Sequence, residues 1–166
     1  AFALRTDGWY LRQDIVWSKP NPMPESMKDR CTKSHEYIFL LSKNKNYYFD
    51  VDAIREPTVD GKELKRKRSV WEVQTKPYKG AHFAVYPPEL IEPCILAGSR
   101  EGDIILDPFM GSGTTAAVAK YHNRNYIGCE LHNEYGNLIE KKVKDFCSRV
   151  PPQQLAQDPP TPLLDA

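Results

Sequence analysis

Residues 103–116 read DIILDPFMGSGTTA, an apolar run followed by an acid, a proline and a turn with two glycines and two threonines. The aliphatic run predicts a buried strand, and the small residues after the turn predict a helix. Gly111 and Gly113 let the backbone approach a ligand closely, and Thr114 or Thr115 is placed to cap the helix. Because the first amides of a helix have no partner within it, this strand-turn-helix predicts a site for a polar or anionic group.

A second acid follows the turn. The run NYIGCE at 125–130 predicts another strand, and Glu130 comes 23 residues after Asp107. The glycines and Ala116 form a G-x-G-x-x-A spacing of the dinucleotide type, in which an acid after the second strand binds ribose hydroxyls. These features predict a nucleoside-bearing cofactor; the alternative is a tight turn beside a solvated strand end. Asp107, beneath the ligand, repels a pyrophosphate and attracts the cationic end of S-adenosylmethionine, which favours S-adenosylmethionine over NAD.

The segments around this turn predict an α/β fold. Strand, helix and strand at 103–130 form one unit with an expected right-handed crossover, half of a Rossmann-like sheet. A helix begins at Pro87 and Pro88 and ends at Gly98, with Pro93 expected to kink or delay it. A last amphipathic helix should cover the sheet with one apolar stripe: Tyr135, Leu138, Ile139, Val143, Phe146 and Val150.

The first half of the chain is less regular. A helix ending at Gly8, a strand at 10–17 and a proline-rich loop at 18–26 come first. The runs at 35–43 and 46–50 predict a hairpin or two adjacent strands. Residues 51–69 lose apolar content and predict a flexible or lightly structured insert, and the proline-rich tail at 151–166 predicts disorder. The opening without Met indicates a piece of a longer protein.

Composition excludes several classes of protein. The 166 residues, 40% hydrophobic, suffice for one domain, and 23 basic against 22 acidic residues give no global field for nucleic acid. The four cysteines form no C-x-x-C pair, so we expect no disulfide framework, no metal site and a reducing cytoplasm. No stretch approaches about 18 apolar residues, so no membrane span is expected.

Two motifs carry a family resemblance. DPFMGSGTT at 107–115 and YIGCE at 126–130 resemble the cofactor motifs of bacterial and phage amino-group DNA methyltransferases, which methylate an exocyclic nitrogen of adenine or cytosine. Upstream, GWYLRQDIVWSKPNPMPES, DRCTKSHEYIFLLSK and HFAVYPPELIEP are similar to blocks that lie between the family's catalytic and cofactor motifs. The resemblance covers residues 1–145. It implies a Rossmann-like, S-adenosylmethionine-dependent fold that is incomplete at its N-terminus, with the catalytic motif first.

The resemblance also implies the cofactor residues. Seven positions match the family's motifs, the first six around the methionine part of the cofactor and the last at the ribose: Asp107, Phe109, Gly111, Ser112, Gly113, Thr114 and Glu130. His82 and Phe83 are implied as further cofactor neighbours. For Phe83, ordinary core packing is the alternative.

The catalytic motif of the family is absent. That motif is an Asp- or Ser-Pro-Pro-aromatic tetrapeptide that binds the target amino group and stacks on the flipped base. DPPT at 158–161 lacks the aromatic residue, follows no strand and lies on the wrong side of the cofactor motif, so we reject it. The catalytic residues are therefore unknown, the missing piece is expected before Ala1, and the chain alone is expected to be inactive.

Contact with double-stranded DNA is expected from two regions. In a methyltransferase domain at 1–150, residues 43–70 take the place of the family's target-recognition insert. Five basic residues there are candidates for phosphate contact, with a solvated face as the alternative: Lys62, Lys65, Arg66, Lys67 and Arg68. Trp17 and Lys19 are candidates to border the flipped base, with burial as the alternative for Trp17.

Three functions stay open at this point. The first is a site-specific DNA methyltransferase of a restriction-modification system, with a restriction endonuclease as its counterpart. The sequence of residues 16–43 resembles the cytosine-N4 members of the family more than the adenine-N6 members. The second is a catalytically incomplete relative that binds DNA or a partner chain. The third is an NAD-dependent oxidoreductase, for which no hydride-transfer site is found in the sequence.

Overall fold

The computed structural model describes residues 1–76 and 85–149. Four helices are α1 Phe2–Thr6, α2 Pro88–Gly98, α3 Thr114–Tyr121 and α4 Tyr135–Arg149. Seven strands are β1 Tyr10–Ser18, β2 His35–Ser42, β3 Glu56–Pro57, β4 Leu64–Lys65, β5 Val70–Glu72, β6 Ile104–Asp107 and β7 Asn125–Gly128. Within these residues no helix is long and apolar enough to cross a membrane.

The first sheet has the strand order β2-β1-β5. β1 runs antiparallel to β2 and parallel to β5. The predicted strand at 46–50 does not form, and this prediction was wrong. Those residues instead cross to the end of α2, where the Asp50 N–H donates to the Ala97 carbonyl at 2.9 Å and the Arg100 guanidinium lies 4.0 Å from the Tyr48 ring centroid. The aromatic content therefore serves packing and cation–π contact rather than strand pairing.

One face of the first sheet forms a hydrophobic cluster with α2. Its buried members are Ile15, Trp17, Trp71 and Leu90. The alternation of β1 places Ile15 and Trp17 on the same face, opposite Ile38 of β2. Trp17 is 6% exposed, and its indole N–H donates to the Val73 carbonyl at 2.7 Å, so this side chain is a satisfied core residue.

The second sheet consists of the parallel strands β6 and β7, joined through α3. The predicted strand-helix-strand order is confirmed. A second cluster covers one face of this sheet, with Ile95 of α2 and Val118 and Ala119 of α3 at its centre. Ile105 of β6 and Tyr126 of β7 pack against it.

The sequence predicts that β6 is buried, but in the described part of the chain a hydrophobic cluster covers one of its two faces. Ile104 and Leu106 are 61% and 64% exposed, and Ile127 on β7 is 53% exposed. The cluster residues of α2, α3 and α4 all meet the opposite face, through Ile105 and Tyr126. Among residues 1–76 and 85–149, the parallel strands β6 and β7 therefore have an apolar face that the hydrophobic clusters leave exposed, here called the bare face.

Helix α2 connects the two clusters. Leu90 belongs to the first cluster and Ile95 to the second. The helix begins at Pro88 as predicted and ends at Gly98, but it runs through Pro93 rather than being delayed by it. Pro93 is buried, so its ring fills space between the layers while its missing N–H removes one helical hydrogen bond.

Two further segments differ in detail from the prediction. Within 51–69 no residue is buried, but β3 and β4 form a short antiparallel hairpin in which the Thr58 N–H donates to the Glu63 carbonyl at 2.8 Å. On α4, Ile139, Val143 and Phe146 lie in the stripe as predicted, whereas Leu138 is 39% exposed. Val150 and the tail at 151–166 lie outside the described residues.

Candidate cofactor site

The turn between β6 and α3 has the backbone that its glycines predict. Gly111 and Gly113 have φ values of 53° and 83°, in the left-handed region. Gly113 is the N-cap of α3, and no side chain caps the helix. The predicted threonine cap is therefore wrong: the Thr115 hydroxyl donates to Asp107 Oδ2 at 2.5 Å, and Thr114 Oγ1 accepts from Lys142 Nζ at 2.7 Å. The first amides of α3 consequently keep no side-chain acceptor at the N-cap.

Asp107, at the end of β6, is held by three donors. Its Oδ1 accepts the Phe109 N–H at 2.9 Å, and its Oδ2 accepts from Thr115 and, at 3.3 Å, from the Tyr86 hydroxyl. Burial raises the pKa of Tyr86 to about 12, so the phenol remains a donor at neutral pH. The half-buried carboxylate is thus fixed in orientation at the mouth of the turn.

Glu130, just after β7, is bonded to the same turn. Its Oε2 accepts the Gly111 N–H at 2.8 Å, and its Oε1 accepts the His132 N–H at 3.0 Å. The bond from His132 is the first cause that holds the pKa of Glu130 below its usual range, followed in the same direction by the bond from Gly111. The two acids therefore border one glycine turn, as their spacing predicts for parallel neighbours.

Close packing around the turn leaves little room for a side chain at Gly113 and Gly128. A Cβ on Gly128 would lie 3.1 Å from Met110 Cβ, and one on Gly113 would lie 3.1 Å from Ile139 Cα. Met110 is buried, and its N–H donates to the Cys129 carbonyl at 2.9 Å. The turn is therefore pressed between the end of β7 and the face of α4.

Lys142 is a site residue that the sequence analysis missed. From α4 its ammonium donates to Ser112 Oγ at 2.9 Å and to Thr114 Oγ1 at 2.7 Å. Burial lowers the pKa of Lys142 to about 8. A signal was present, because Lys142 lies three residues after Ile139 and four before Phe146, within the apolar stripe of the helix.

The structure brings together all seven cofactor residues that the motifs imply in the described part of the chain. Ser112 and Thr114 are buried beneath the turn, whereas Phe109 is 88% exposed. That ring is therefore open to a ligand placed over the turn. His82 and Phe83 lie outside the described residues.

The residues predicted to contact DNA separate into two groups. Lys65 and Arg68 lie 3.8 and 2.8 Å from Glu56 Oε1, and Lys67 lies 5.2 Å from the Trp71 ring centroid. Lys62 and Arg66 are exposed on the hairpin segment. Arg68 is exposed as well, with 71% of its side chain accessible, although it pairs with Glu56.

Trp17 and Lys19 are not arranged as two exposed side chains that could border a flipped base. Trp17 belongs to the core, so its predicted place beside a flipped base does not fit its burial. Lys19 pairs with Glu36 and lies 4.4 Å from the Trp17 ring centroid, over the edge of the same cluster. The indole thus contributes to packing, and the ammonium is already neutralised by a carboxylate.

The four cysteines are free, and among the residues that the structure describes no three His, Cys, Asp or Glu side chains gather as a metal site would require. The described groups around the turn include carboxylates, hydroxyls, the Lys142 ammonium and backbone amides.

Comparison with known sequences gives the relatives of this chain. The N6_N4_Mtase family model, described as DNA methylase, matches residues 1–141. Type II methyltransferase M.XycI of Xanthomonas campestris pv. cyanopsidis is 54% identical over 150 residues, which are 90% of this chain and 50% of that relative. Type II methyltransferase M.SmaI of Serratia marcescens is 54% identical over 144 residues, or 86% and 49% of the two chains. The chain thus spans about half the length of these curated relatives.

Comparison with solved structures gives the fold of this chain. The complex of M1.HpyAVI with SAM has a TM-score of 0.67 at 29% identity, covering 86% of this chain and 66% of the other. PvuII DNA methyltransferase (cytosine-N4-specific) has a TM-score of 0.65 at 22% identity, covering 86% and 57%, which bears on the fold alone. The fold is the Rossmann-like one of S-adenosylmethionine-dependent methyltransferases. With the family model matched over residues 1–141 and relatives at 54% identity, this chain belongs to the N6/N4 DNA methylase family.

Proposed function

We propose that this chain is the cofactor-binding portion of a site-specific DNA methyltransferase that transfers a methyl group from S-adenosylmethionine to an exocyclic amino group of a flipped base. The observation that carries the proposal is the bond between Gly111 and Glu130, which joins the glycine turn to the ribose-type acid. Asp107 lies at the end of the neighbouring strand and presents a fixed negative charge. This arrangement favours a ligand with hydroxyls at one end and a cation at the other.

Calorimetric titration of the chain with S-adenosylmethionine tests the cofactor. We expect binding that is lost in an Asp107→Ala/Glu130→Ala double variant and retained in Glu101→Ala, which changes an exposed acid at the other end of β6. NAD is the control ligand and should not bind. Tighter binding of NAD than of S-adenosylmethionine would instead support an oxidoreductase.

We further propose that methyl transfer requires polypeptide that corresponds to the unmatched half of the relatives. The bare apolar face on β6 and β7 supports this proposal, because strands of a parallel sheet are normally covered on both faces. Tyr37 and Phe39 on β2 form a second exposed pair, with stacked rings 6.1 Å apart. The proposed occupant of the bare face is polypeptide that corresponds to this unmatched half and carries the catalytic tetrapeptide.

A complementation assay tests this requirement. The chain alone should transfer no labelled methyl group to DNA, and addition of the corresponding half of a relative should restore transfer. Leu106→Ser on the bare face should weaken restoration, whereas Leu64→Ser on the hairpin should not, although the two leucines are 64% and 61% exposed. Methyl transfer by the chain alone would refute the requirement and reopen DPPT at 158–161 as a candidate.

The proposed target is cytosine N4 rather than adenine N6. The support is the resemblance of residues 16–43 to the cytosine-N4 side of the family. Mass spectrometry of nucleosides from methylated DNA distinguishes N4-methylcytosine from N6-methyladenine. The proposed partners are double-stranded DNA and a restriction endonuclease of the same system, and the four free cysteines support a reducing cytoplasmic location.

A further inference from the structure

Lys142 contacts the glycine turn from α4, beside three other described side chains that fix it. Glu130 holds the Gly111 amide, Asp107 holds the Thr115 hydroxyl, and Ile139 packs on Gly113. Lys142 holds the two residues between these points, Ser112 and Thr114, from α4. Glu130 and Asp107 face the cofactor according to the proposed function, but Lys142 lies beneath the turn.

The chemistry of the ammonium defines how these bonds work. A lysine ammonium has three donors and no acceptor, so the hydroxyl oxygens of Ser112 and Thr114 must accept from it. Both residues are buried, at 4% and 3% exposure, and the bonds therefore act inside the protein rather than at its surface. They hold the backbone of the turn against α4, with Gly113 between them.

The position of Lys142 is unfavourable for a structural lysine. Its ammonium contacts the first residue of α3, Thr114, where the helix dipole is positive and disfavours a cation. Burial adds to this cost, which is the cause of the lowered pKa. An anion bound over the turn would be attracted both by the ammonium and by the start of α3.

We propose that Lys142 is a positioning residue for the anionic end of the cofactor, the carboxylate of its methionine part. It acts through the turn: its bonds to Ser112 and Thr114 hold the backbone amides toward the ligand, and its charge attracts the carboxylate from behind. The inference rests on the proposed function, because it requires S-adenosylmethionine at this turn.

Two ligands separate this role from a purely structural one. S-adenosylmethionine carries the carboxylate, whereas 5′-methylthioadenosine has the same nucleoside without the amino-acid part. We expect Lys142→Met to weaken S-adenosylmethionine binding about tenfold or more and to change 5′-methylthioadenosine binding less than about threefold, because only the former loses a charge-assisted interaction. Lys142→Arg should stay within about threefold of the wild type for both ligands.

Matched variants control the experiment. Lys141→Met changes the exposed neighbour on α4 and should bind both ligands like the wild type. Ser112→Ala/Thr114→Ala removes the two acceptors without touching the lysine and should reproduce the selective loss. If Lys142→Met fails to fold, this double variant and Lys142→Arg decide the question.

The outcomes are distinct. Equal weakening of both ligands in Lys142→Met, or no weakening of either, would overturn the role of Lys142 while leaving the proposed function intact. A wild-type chain that binds neither ligand would remove the proposed function and this inference with it. Selective loss of S-adenosylmethionine, with recovery in Lys142→Arg, supports both.

Discussion

Glu130 accepts a hydrogen bond from the Gly111 amide at 2.8 Å, which joins the acid after β7 to the turn after β6. The same carboxylate accepts the His132 N–H, so both of its oxygens are engaged. These bonds fix the orientation of the carboxylate and hold the first glycine of the turn. Under the proposed function, the same side chain that shapes the turn is the one that binds the ribose hydroxyls.

Glu130→Gln should weaken S-adenosylmethionine binding about tenfold, since an amide accepts more weakly and carries no charge. The pKa of Glu130 lies below its ordinary value of 4.5. The contribution of the charged carboxylate to S-adenosylmethionine binding is therefore present above pH 4.5 and is lost as the pH falls through the pKa of the folded protein. Wild-type affinity should therefore stay level from neutral pH down to about 5. Titrations of both proteins at several pH values, with exposed Glu134→Gln as control, test this prediction. Wild-type binding that already weakens near pH 6 would contradict it.

Gly113→Ala should lower the free energy of unfolding by about 1–3 kcal/mol, because alanine is strained at positive φ and its Cβ would meet Ile139. Gly98→Ala is the control: nothing lies within 4 Å of its added Cβ, and that position ends a helix. Its effect should stay within about 1 kcal/mol. Denaturant unfolding measures both. A loss of equal size at the two glycines would show that contact with α4 is not the cause.

Binding of S-adenosylmethionine should raise the pKa of Lys142 from about 8, because a carboxylate over the turn favours the ammonium. In the free protein the Lys142 ammonium is partly deprotonated at pH 8. Ligand binding should therefore take up protons at pH 8 and fewer protons at pH 6.5. Calorimetry in buffers of different ionisation enthalpy measures this uptake.

Lys142→Arg provides the control for that uptake, because arginine stays protonated and leaves only the protons of the cofactor and of other groups. The charged side chains nearest to Lys142 along α4 are Glu140, Lys141, Lys144 and Asp145, and Asp107 and Glu130 border the turn. All of them remain in the variant. Equal uptake in wild type and variant would exclude Lys142 as the source.

Neutralising Lys62 and Arg66 should reduce the salt dependence of DNA binding, since both cations are exposed on the hairpin segment. Each lost phosphate contact should lower the slope of log affinity against log salt by about 0.9. The expected change for Lys62→Gln/Arg66→Gln is therefore up to about 1.8. Lys144→Gln, on α4, is the control. An unchanged slope would assign the hairpin cations to a solvated face.

The geometry of the candidate cofactor site could be predicted from sequence because its signals are local. Strand, turn, helix and strand follow one another within 103–130, and parallel strands bring their ends to one edge of a sheet. The spacing of Asp107 and Glu130 therefore carries three-dimensional information. Their common contact with the turn agrees with it.

The parts that could not be predicted depend on contacts between distant residues. Residues 46–50 have strand composition, but their backbone bonds to α2 instead of to a neighbouring strand. Trp17 lies on the face of β1 that packs against α2, and the sequence of β1 alone does not tell which of its two faces α2 covers. Lys142 reaches residues 28 and 30 positions away, and a stripe pattern does not tell which hydroxyls a long side chain will meet.

Helix α2 carries Leu90 to one hydrophobic cluster and Ile95 to the other. Neither sheet can therefore lose its apolar cover without disturbing the same eleven-residue helix. We expect the amides of α2, β1 and β6 to exchange with deuterium through a single opening event and the hairpin at 56–65 to exchange independently and faster. The cofactor turn, attached to β6, would then share the opening free energy of the whole core, so that ligand binding slows exchange as far away as β1.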